Sequence, residues 1–323
     1  MNTKLKVLIG GSASTGSSLL AHILGQHSQI YCGLETNLFT QPDWILNWPS
    51  IKLNINKTTL KDVMSKGWHI HKGLQISDLL GDRDFEHLVR QSVDYQSFIY
   101  ELYLYVNLQS GKEFIAEKTP SNALCFHLLR SKFDQTQFVL TIRNPIDAIL
   151  SMQKRGWSLI YSCGVYLLNI AMGYDPDYDV RVIKYEDLSR DPEETILPIL
   201  HEGNFSFESQ MTQNLEKMTM LSSWRPDKPN EVNSDVTIPN FRKREIEYLI
   251  DHLCFKKDFE FYGKKPVFNN IRAIMNHFKY FMVKSEERSQ EKVKALSFVT
   301  IEYAKRTFRK YPLSGNSFPF IIE

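Results

Sequence analysis

Short apolar runs alternate along the chain with stretches whose apolar residues recur every three or four positions. The runs are typical of buried strands, and the periodic stretches are typical of helices that bury one face. Their alternation predicts a parallel sheet covered by helices. The predicted strands are Lys6–Ile9, Trp68–His71, Phe114–Ala116, Phe138–Ile142 and Val180–Ile183. The predicted helices include Ser17–Leu24, Asn122–Ser131, Pro145–Gln153, Ser158–Met172 and Pro192–Leu200.

The first predicted strand leads directly into a segment rich in glycine and serine, and then into a helix. Such a turn forms an anion site, because unpaired backbone N–H groups and the positive end of the helix dipole point to the same place. Gly11 and Gly16 allow the backbone to approach a ligand closely. The hydroxyl donors of the segment are Ser12, Ser14, Thr15, Ser17 and Ser18. The segment therefore predicts a site for a phosphate-type group.

The strand at 138–142 is followed by a second segment of this kind. Arg143 follows the strand, and Ser151 lies eight residues later, about two helical turns along the next helix. The planar fork of an arginine suits the paired oxygens of a phosphate. Two separate anion sites in one chain predict a ligand that carries two separate phosphate groups.

The first segment has the glycine spacing of a Walker A motif but lacks its lysine. Ser17 stands where a P-loop NTPase needs a lysine on the terminal phosphates. Arg143 and Asn144 follow the strand FVLTI, where such enzymes usually have the Asp that holds Mg²⁺. An anion-binding loop is therefore expected, whereas a metal–nucleotide site is not. A P-loop kinase or another nucleotide-binding protein stays open as an alternative function.

Taken together, these segments resemble the PAPS-dependent sulfotransferases, which transfer the sulfuryl group of 3′-phosphoadenosine 5′-phosphosulfate (PAPS). The similarity is nearest to the branch of tyrosylprotein and related bacterial sulfotransferases. It implies an α/β fold, a P-loop-like three-layer sandwich with a central parallel sheet flanked by helices. Five segments match in order, within about residues 4–263: residues 13–18, 31–36, 117–120, Arg143 with Ser151, and 182–188.

The resemblance also implies roles for individual residues. Glu35 would be the catalytic base, and Lys118 would stabilise the negative charge that develops on the leaving group. The family binds PAPS, releases adenosine 3′,5′-bisphosphate and needs no metal. The implied cofactor-binding residues are Gly11, Ser12, Ser14, Thr15, Gly16, Ser17 and Ser18 for the 5′-phosphosulfate, Arg143 and Ser151 for the 3′-phosphate, and Tyr185.

The chain departs from the family pattern at one position of the first segment. The family usually has a basic residue where Ser14 stands, and this residue helps to neutralise the 5′-phosphosulfate. Lys118 alone, or Lys72 in addition, would have to supply that charge. A degenerate, non-catalytic sulfotransferase homologue is therefore the third interpretation. His69 and His71 are two positions apart and so share one face of a predicted strand, a spacing that a metal site could use. No third ligand lies near them in sequence, so no metal site is expected.

Composition and charge add few constraints. With 323 residues, 42% apolar and 24% charged, the chain suits a globular α/β domain, and a net charge of +2 gives no reason to expect a nucleic-acid partner. The four cysteines share no close spacing, so neither a zinc site nor a disulfide framework is predicted. The sequence has neither a hydrophobic signal region nor a run of about twenty apolar residues, so we expect a cytoplasmic protein.

The last sixty residues differ in character from the rest. Residues 264–310 contain twelve Lys and Arg but only four Glu, and apolar residues are interleaved with the charges as in a pair of amphipathic helices. We predict a PAPS-binding sulfotransferase domain at 1–263 and a basic helical extension at 264–323. The extension either packs on the domain or makes a peripheral contact with an anionic membrane or partner.

The acceptor and part of the cofactor site stay open. Any small molecule, lipid, saccharide or peptide with a hydroxyl or amine could serve as acceptor. Residues 222–239 form a predicted long loop, and such loops are often functional lids. The resemblance implies that Arg225, Lys228 or Arg242 reaches the 3′-phosphate from this region.

Overall fold

The computed structural model of the chain describes residues 4–65, 80–155, 157, 159–174, 179–213 and 215. In these residues, five parallel strands form one sheet with the order β2–β3–β1–β4–β5. The predicted α/β fold with a central parallel sheet is confirmed. The strands are β1 Leu5–Gly11, β2 Ile30–Cys32, β3 Phe114–Lys118, β4 Gln137–Ile142 and β5 Val180–Lys184.

Helices connect the strands and cover the sheet. Three of the described helices, α2, α7 and α10, begin at a proline, whose missing N–H would have no partner at that position in any case. The helices in the described ranges are α1 Ser17–Gly25, α2 Pro42–Ile51, α3 Lys57–Ser65, α4 Asp82–Gln91, α5 Tyr95–Ser110, α6 Phe126–Leu129, α7 Pro145–Lys154, α8 Leu159–Gly173, α9 Tyr185–Arg190 and α10 Pro192–Glu202.

The side chains of β1 point into two separate apolar cores, one on each face of the sheet. Leu5 and Leu8 belong to the core formed with α2 to α8, whereas Val7 and Ile9 belong to the core formed with α1, α9 and α10. All six residues of β4 are buried, as expected for a parallel strand that is covered on both faces. Helices, sheet and helices therefore form the three layers that were predicted.

The prediction of one helix over Asn122–Ser131 is wrong. A 3-10 helix, Pro120–Cys125, precedes the single turn of α6. The Asn122 side chain donates to the Ile9 carbonyl and to the Glu117 carboxylate, which ties this segment to the end of the sheet. The Ala123 backbone also lies against Gly10, where an added Cβ would come within 2.6 Å of the Ala123 nitrogen. These tertiary contacts override the helical pattern.

Several predicted features lie outside the described residues. They are the strand Trp68–His71 with Lys72, the loop 222–239, the candidate contacts Arg225, Lys228 and Arg242, and the extension 264–323. The short strand β2 and the helices α2 to α5 and α9 were not predicted. Among the helices that the structure describes, none is long and apolar enough to cross a membrane.

Candidate active site

The predicted site residues lie at the carboxyl edge of the sheet, where ligands bind in open parallel sheets. β1 lies between β3 and β4, so the segments that follow these three strands are neighbours. Gly11 is paired with Thr141, and Ile9 is paired with Lys118. We call residues 11–18 the β1 segment and residues 143–151 the β4 segment.

The backbone of the β1 segment depends on its glycines. Gly16 precedes α1 with a φ of 89°, in the left-handed region that side chains other than glycine rarely adopt. A Cβ on Gly16 would lie 2.6 Å from the Tyr185 ring, and one on Gly11 would lie 2.3 Å from the Thr141 hydroxyl. Ser14 is also left-handed, with a φ of 67°. The segment therefore forms a tight turn that ends at the N-terminus of α1.

The hydroxyl groups of the β1 segment divide into two sets. Thr15 is buried, donates to the Ser12 carbonyl at 2.7 Å and lies 2.8 Å from the Thr141 hydroxyl, so it holds the turn against β4. Ser12 is also buried, but its hydroxyl has no hydrogen-bond partner among the described residues. Ser17 and Ser18 begin α1, where the N–H groups of the first turn are unpaired.

Glu35 and Lys118 form a buried ion pair beside the β1 segment. Their carboxylate and ammonium groups are 2.5 Å apart, and each side chain is only 7% exposed. Lys118 also donates to the Ser18 hydroxyl at 3.3 Å. The structure therefore brings together the predicted base, the predicted cation and the end of the β1 segment.

The Glu117 carboxylate orients the chain next to Glu35. Thr36 donates its backbone N–H at 3.2 Å and its hydroxyl at 2.8 Å to this carboxylate. Thr119 and Asn122 donate to it as well, at 2.8 Å and 2.5 Å. Burial raises the pKa of Glu117, although these hydrogen bonds oppose the shift. Glu117 belongs to a segment quoted for the family resemblance, but no role for it was predicted.

Arg143 lies between the β4 segment and Tyr185. Its guanidinium is 4.3 Å from the centre of the Tyr185 ring, a cation–π contact, and it donates to the Ser14 carbonyl at 3.5 Å. Its buried Nε has no hydrogen-bond partner among the described residues. The Tyr166 hydroxyl donates to the Arg143 carbonyl at 2.5 Å, and the Asn144 N–H donates to the Glu186 carboxylate at 2.8 Å. Contacts from α8 and α9 thus hold Arg143 in place.

Ser14 joins the two segments. Its hydroxyl donates to that of Ser151 at 3.0 Å, so the predicted 5′ and 3′ sides of the site touch. Arg155, which was not predicted, donates to the Ser14 hydroxyl and to the Ser151 carbonyl. It follows Ser151 by four residues and is the first residue after α7, so about one helical turn separates the two. This spacing is the only sequence signal that could have indicated it.

These groups fit a ligand with two anionic ends. Each segment contains a buried donor, Ser12 Oγ or Arg143 Nε, that lacks a partner among the described residues. Buried polar groups are nearly always hydrogen-bonded, so such donors indicate a missing acceptor. Backbone N–H groups, hydroxyls and cations form the donor set, and this set suits phosphate and sulfate oxygens.

The described residues contain neither a candidate metal site nor a disulfide bond. In the described parts of the chain, no group of three or more His, Cys, Asp or Glu could hold a metal ion. The described cysteines, Cys32, Cys125 and Cys163, are free thiols. That the activity needs no metal stays a prediction.

Comparisons with known proteins identify the family of the chain. Among solved structures, the sulfotransferase domain of the Synechococcus PCC 7002 olefin synthase is 19% identical, with a TM-score of 0.44, over 97% of this chain and 98% of that chain. A sulfotransferase domain from the curacin biosynthetic pathway is 18% identical, with a TM-score of 0.42, over 85% and 97%. No curated protein matches the sequence significantly. The model of the sulfotransferase family matches residues 6–208, and the chain therefore belongs to the sulfotransferase family.

Proposed function

We propose that the protein is a PAPS-dependent sulfotransferase that moves a sulfuryl group to a hydroxyl or amine by in-line transfer. The observation that carries this proposal is the buried Glu35–Lys118 pair next to Ser18. Transfer of an anionic group to a hydroxyl needs a base for the acceptor proton and a cation for the developing charge. The pair provides both groups where the β1 segment meets α1.

The two segments would hold the two ends of PAPS. Gly11, Gly16 and the hydroxyls of the β1 segment suit the 5′-phosphosulfate, and Arg143 with Ser151 suits the 3′-phosphate. When bound, PAPS supplies the sulfuryl group, and adenosine 3′,5′-bisphosphate is the leaving group. The buried, unpartnered donors in both segments support this assignment.

Within this proposal, Glu35 takes the proton of the acceptor's hydroxyl or amine on its carboxylate. Lys118 holds that carboxylate in a fixed position through their 2.5 Å contact. Glu117 holds the neighbouring Thr36 through two hydrogen bonds, so the loop that carries Glu35 is fixed from both sides. Such preorganisation reduces the reorganisation that the transfer would otherwise require.

Binding of nucleotides separates this proposal from the kinase alternative. We expect isothermal titration calorimetry to show tight binding of adenosine 3′,5′-bisphosphate and weaker binding of ATP with Mg²⁺. Adenosine 5′-monophosphate is the control, because it lacks only the 3′-phosphate. A preference for ATP with Mg²⁺ would refute the sulfotransferase proposal.

An acceptor screen then separates an enzyme from a non-catalytic homologue. Radiolabelled PAPS would be offered with phenols, alcohols, amines, saccharides, lipids and tyrosine peptides. Transfer to one class would identify the acceptor chemistry. Tight binding of the bisphosphate without transfer to any class would favour the non-catalytic interpretation.

A further inference from the structure

The hydroxyl and the carbonyl of Ser14 are hydrogen-bonded to only one side of the site among the described residues. The hydroxyl donates to that of Ser151 at 3.0 Å and accepts from Arg155, and the carbonyl accepts from Arg143 at 3.5 Å. Arg143 and Ser151 belong to the β4 segment, and Arg155 directly follows α7. The contacts of Ser14 therefore lie on the 3′ side, although the family resemblance implies a role for it at the 5′-phosphosulfate.

The other end of the β1 segment contacts different groups. Ser18 accepts from the Lys118 ammonium at 3.3 Å, and this ammonium is paired with Glu35 at 2.5 Å. Ser17 and Ser18 also begin α1, where the unpaired N–H groups of the first turn suit an anion. The serines of the β1 segment therefore divide between the two sides of the site.

The direction of the hydrogen bonds limits what the Ser14 hydroxyl can do. A serine hydroxyl has a single proton to donate. Ser14 gives this proton to Ser151 and so has none left for an oxygen of the 5′-phosphosulfate. In the part of the chain that the structure describes, the Ser151 hydroxyl accepts from Ser14 but donates to no group. A chain of hydrogen bonds thus runs from Arg155 through Ser14 to Ser151 and ends in an available donor.

The backbone at Ser14 adopts an unfavourable conformation that goes with this orientation. Its φ of 67° lies in the left-handed region. A residue other than glycine keeps such a conformation only where the surrounding structure determines it, and such residues cluster at ligand sites. The three contacts with the β4 side supply this determination at Ser14.

We propose that Ser14 is a positioning residue of the 3′-phosphate site, where it directs the proton of the Ser151 hydroxyl toward the 3′-phosphate. This inference rests on the proposed function, and it moves Ser14 from the 5′ side to the 3′ side. Donation by the Arg155 guanidinium polarises the Ser14 hydroxyl, which in turn polarises that of Ser151, because successive hydrogen bonds strengthen one another. The last bond of the chain, to the ligand, gains most from this arrangement.

Two monophosphates distinguish the two sides in calorimetry. Adenosine 3′-monophosphate has only the 3′ group, and adenosine 5′-monophosphate has only the 5′ group. In Ser14→Ala, the dissociation constant of the 3′-monophosphate should rise about 3- to 10-fold, which is typical of one lost hydrogen bond. That of the 5′-monophosphate should change by less than about twofold. Ser18→Ala should show the opposite preference, because Ser18 contacts Lys118.

Ser131→Ala is the matched control for the loss of a serine hydroxyl. Ser131 is exposed, and its hydroxyl donates to the Leu128 carbonyl at 3.4 Å, away from both segments in sequence. Neither dissociation constant should change in this variant.

A double-mutant cycle tests whether Ser14 acts through Ser151. Once Ser151→Ala has removed the end of the chain, the further change Ser14→Ala should alter binding of the 3′-monophosphate by less than about twofold. Losses that simply add would mean that the two serines act independently, and they would contradict a positioning role.

The single variant can also overturn the inference. Weaker binding of the 5′-monophosphate alone would return Ser14 to the 5′ side, equal weakening of both ligands would assign it to the fold of the turn, and no change would remove it from the site. If Ser14→Ala lowers the melting temperature, Ser14→Gly replaces it, because glycine suits a φ of 67° and also lacks the hydroxyl. The glycine variant must show the same preference. Failure of the wild type to bind adenosine 3′,5′-bisphosphate would instead refute the proposed function.

Discussion

The β1 and β4 segments have the same architecture but obtain their positive charge differently. Both connect a strand to a helix, and they leave the sheet side by side, since Gly11 is paired with Thr141. The β4 segment carries its own cation, Arg143, which contacts from α8 and α9 hold in place. The β1 segment has no cation, and Lys118 of β3 and Arg155 beyond α7 donate to its serines.

This difference shows how the strand order determines where charge is available. β1 is central in the sheet, so the segment without cations lies between Lys118 at the end of β3 and the strand–turn–helix unit of β4 and α7, which Arg155 follows. The Tyr185 ring lies close to both segments, because a Cβ on Gly16 would be 2.6 Å from it and the Arg143 guanidinium is 4.3 Å from its centre. We therefore expect the β1 segment to be sensitive to added volume and the β4 segment to be sensitive to lost charge.

The largest effect is expected for Glu35→Gln, which removes the base beside the β1 segment. Gln keeps the size and a hydrogen-bond acceptor for Lys118 but cannot take a proton at neutral pH. The rate of transfer should fall roughly 10²- to 10⁴-fold, or about 2.7–5.4 kcal/mol in the barrier. Affinity for adenosine 3′,5′-bisphosphate should be kept, and the acidic limb of the pH–rate profile should disappear.

Glu113→Gln is the matched control for this prediction. Glu113 precedes β3, at the opposite end of the strand from Lys118, and pairs on the surface with Lys4 at 2.8 Å. Its loss should leave the rate unchanged, because an exposed pair of this kind contributes little. Near wild-type transfer by Glu35→Gln would remove Glu35 from the mechanism.

Gly16→Ala should have the next largest effect, because it adds volume to the β1 segment. An alanine in the left-handed region is unfavourable by about 1–2 kcal/mol, and the Tyr185 ring would also have to move. We expect the free energy of unfolding in urea to fall by about 2–4 kcal/mol. Calorimetry should show weaker binding of the bisphosphate in the same variant.

Gly111→Ala separates the two causes. Gly111 is also left-handed, with a φ of 68°, but no atom lies within 4 Å of the position of its Cβ. Its substitution should lower the free energy of unfolding by only the backbone part, about 1–2 kcal/mol, and should leave ligand binding unchanged. An equal loss in both variants would mean that Tyr185 does not confine the β1 segment.

The parts of the site that lie within one contiguous segment could be predicted from the sequence. Each segment is local, because its strand, turn and helix are contiguous, so apolar runs and glycine spacing indicated both. The roles of Glu35 and Lys118 were predicted from short matches to a family pattern. The sheet and its flanking layers followed from the alternation of apolar and periodic stretches.

The contacts between segments could not be predicted in this way. Arg155 meets Ser14 across 141 positions of sequence, and their contact depends on how α7 packs. The hydrogen bond between Thr36 and Glu117 spans 81 positions, and it follows from the pairing of β2 with β3. The short α6 similarly reflects contacts of Asn122 with the sheet rather than a local pattern. No periodicity encodes such contacts.

Arg143→Ala tests the β4 segment through loss of charge. A charge-assisted contact to a phosphate contributes about 1.5–3 kcal/mol, so affinity for adenosine 3′,5′-bisphosphate should fall about 10- to 100-fold. The catalytic rate at saturating PAPS should change little, because the 3′-phosphate is held alike before and during transfer. Adenosine 5′-monophosphate lacks the 3′-phosphate and should bind wild type and variant equally. Equal weakening with both ligands would show that Arg143 serves the fold.

The smallest effect is expected for Tyr185→Leu, which removes the ring that contacts Arg143. A leucine keeps the apolar burial but cannot form the cation–π contact that orients Arg143, a contact that contributes about 0.5–1 kcal/mol. Affinity for the bisphosphate should therefore fall about two- to fivefold, with a smaller change for adenosine 5′-monophosphate. Tyr185→Phe keeps the ring face and should behave as wild type. If Tyr185→Phe weakens binding of the bisphosphate as much as Tyr185→Leu does, the hydroxyl rather than the ring is the important group. Tyr185 would then contact the cofactor directly instead of acting through Arg143.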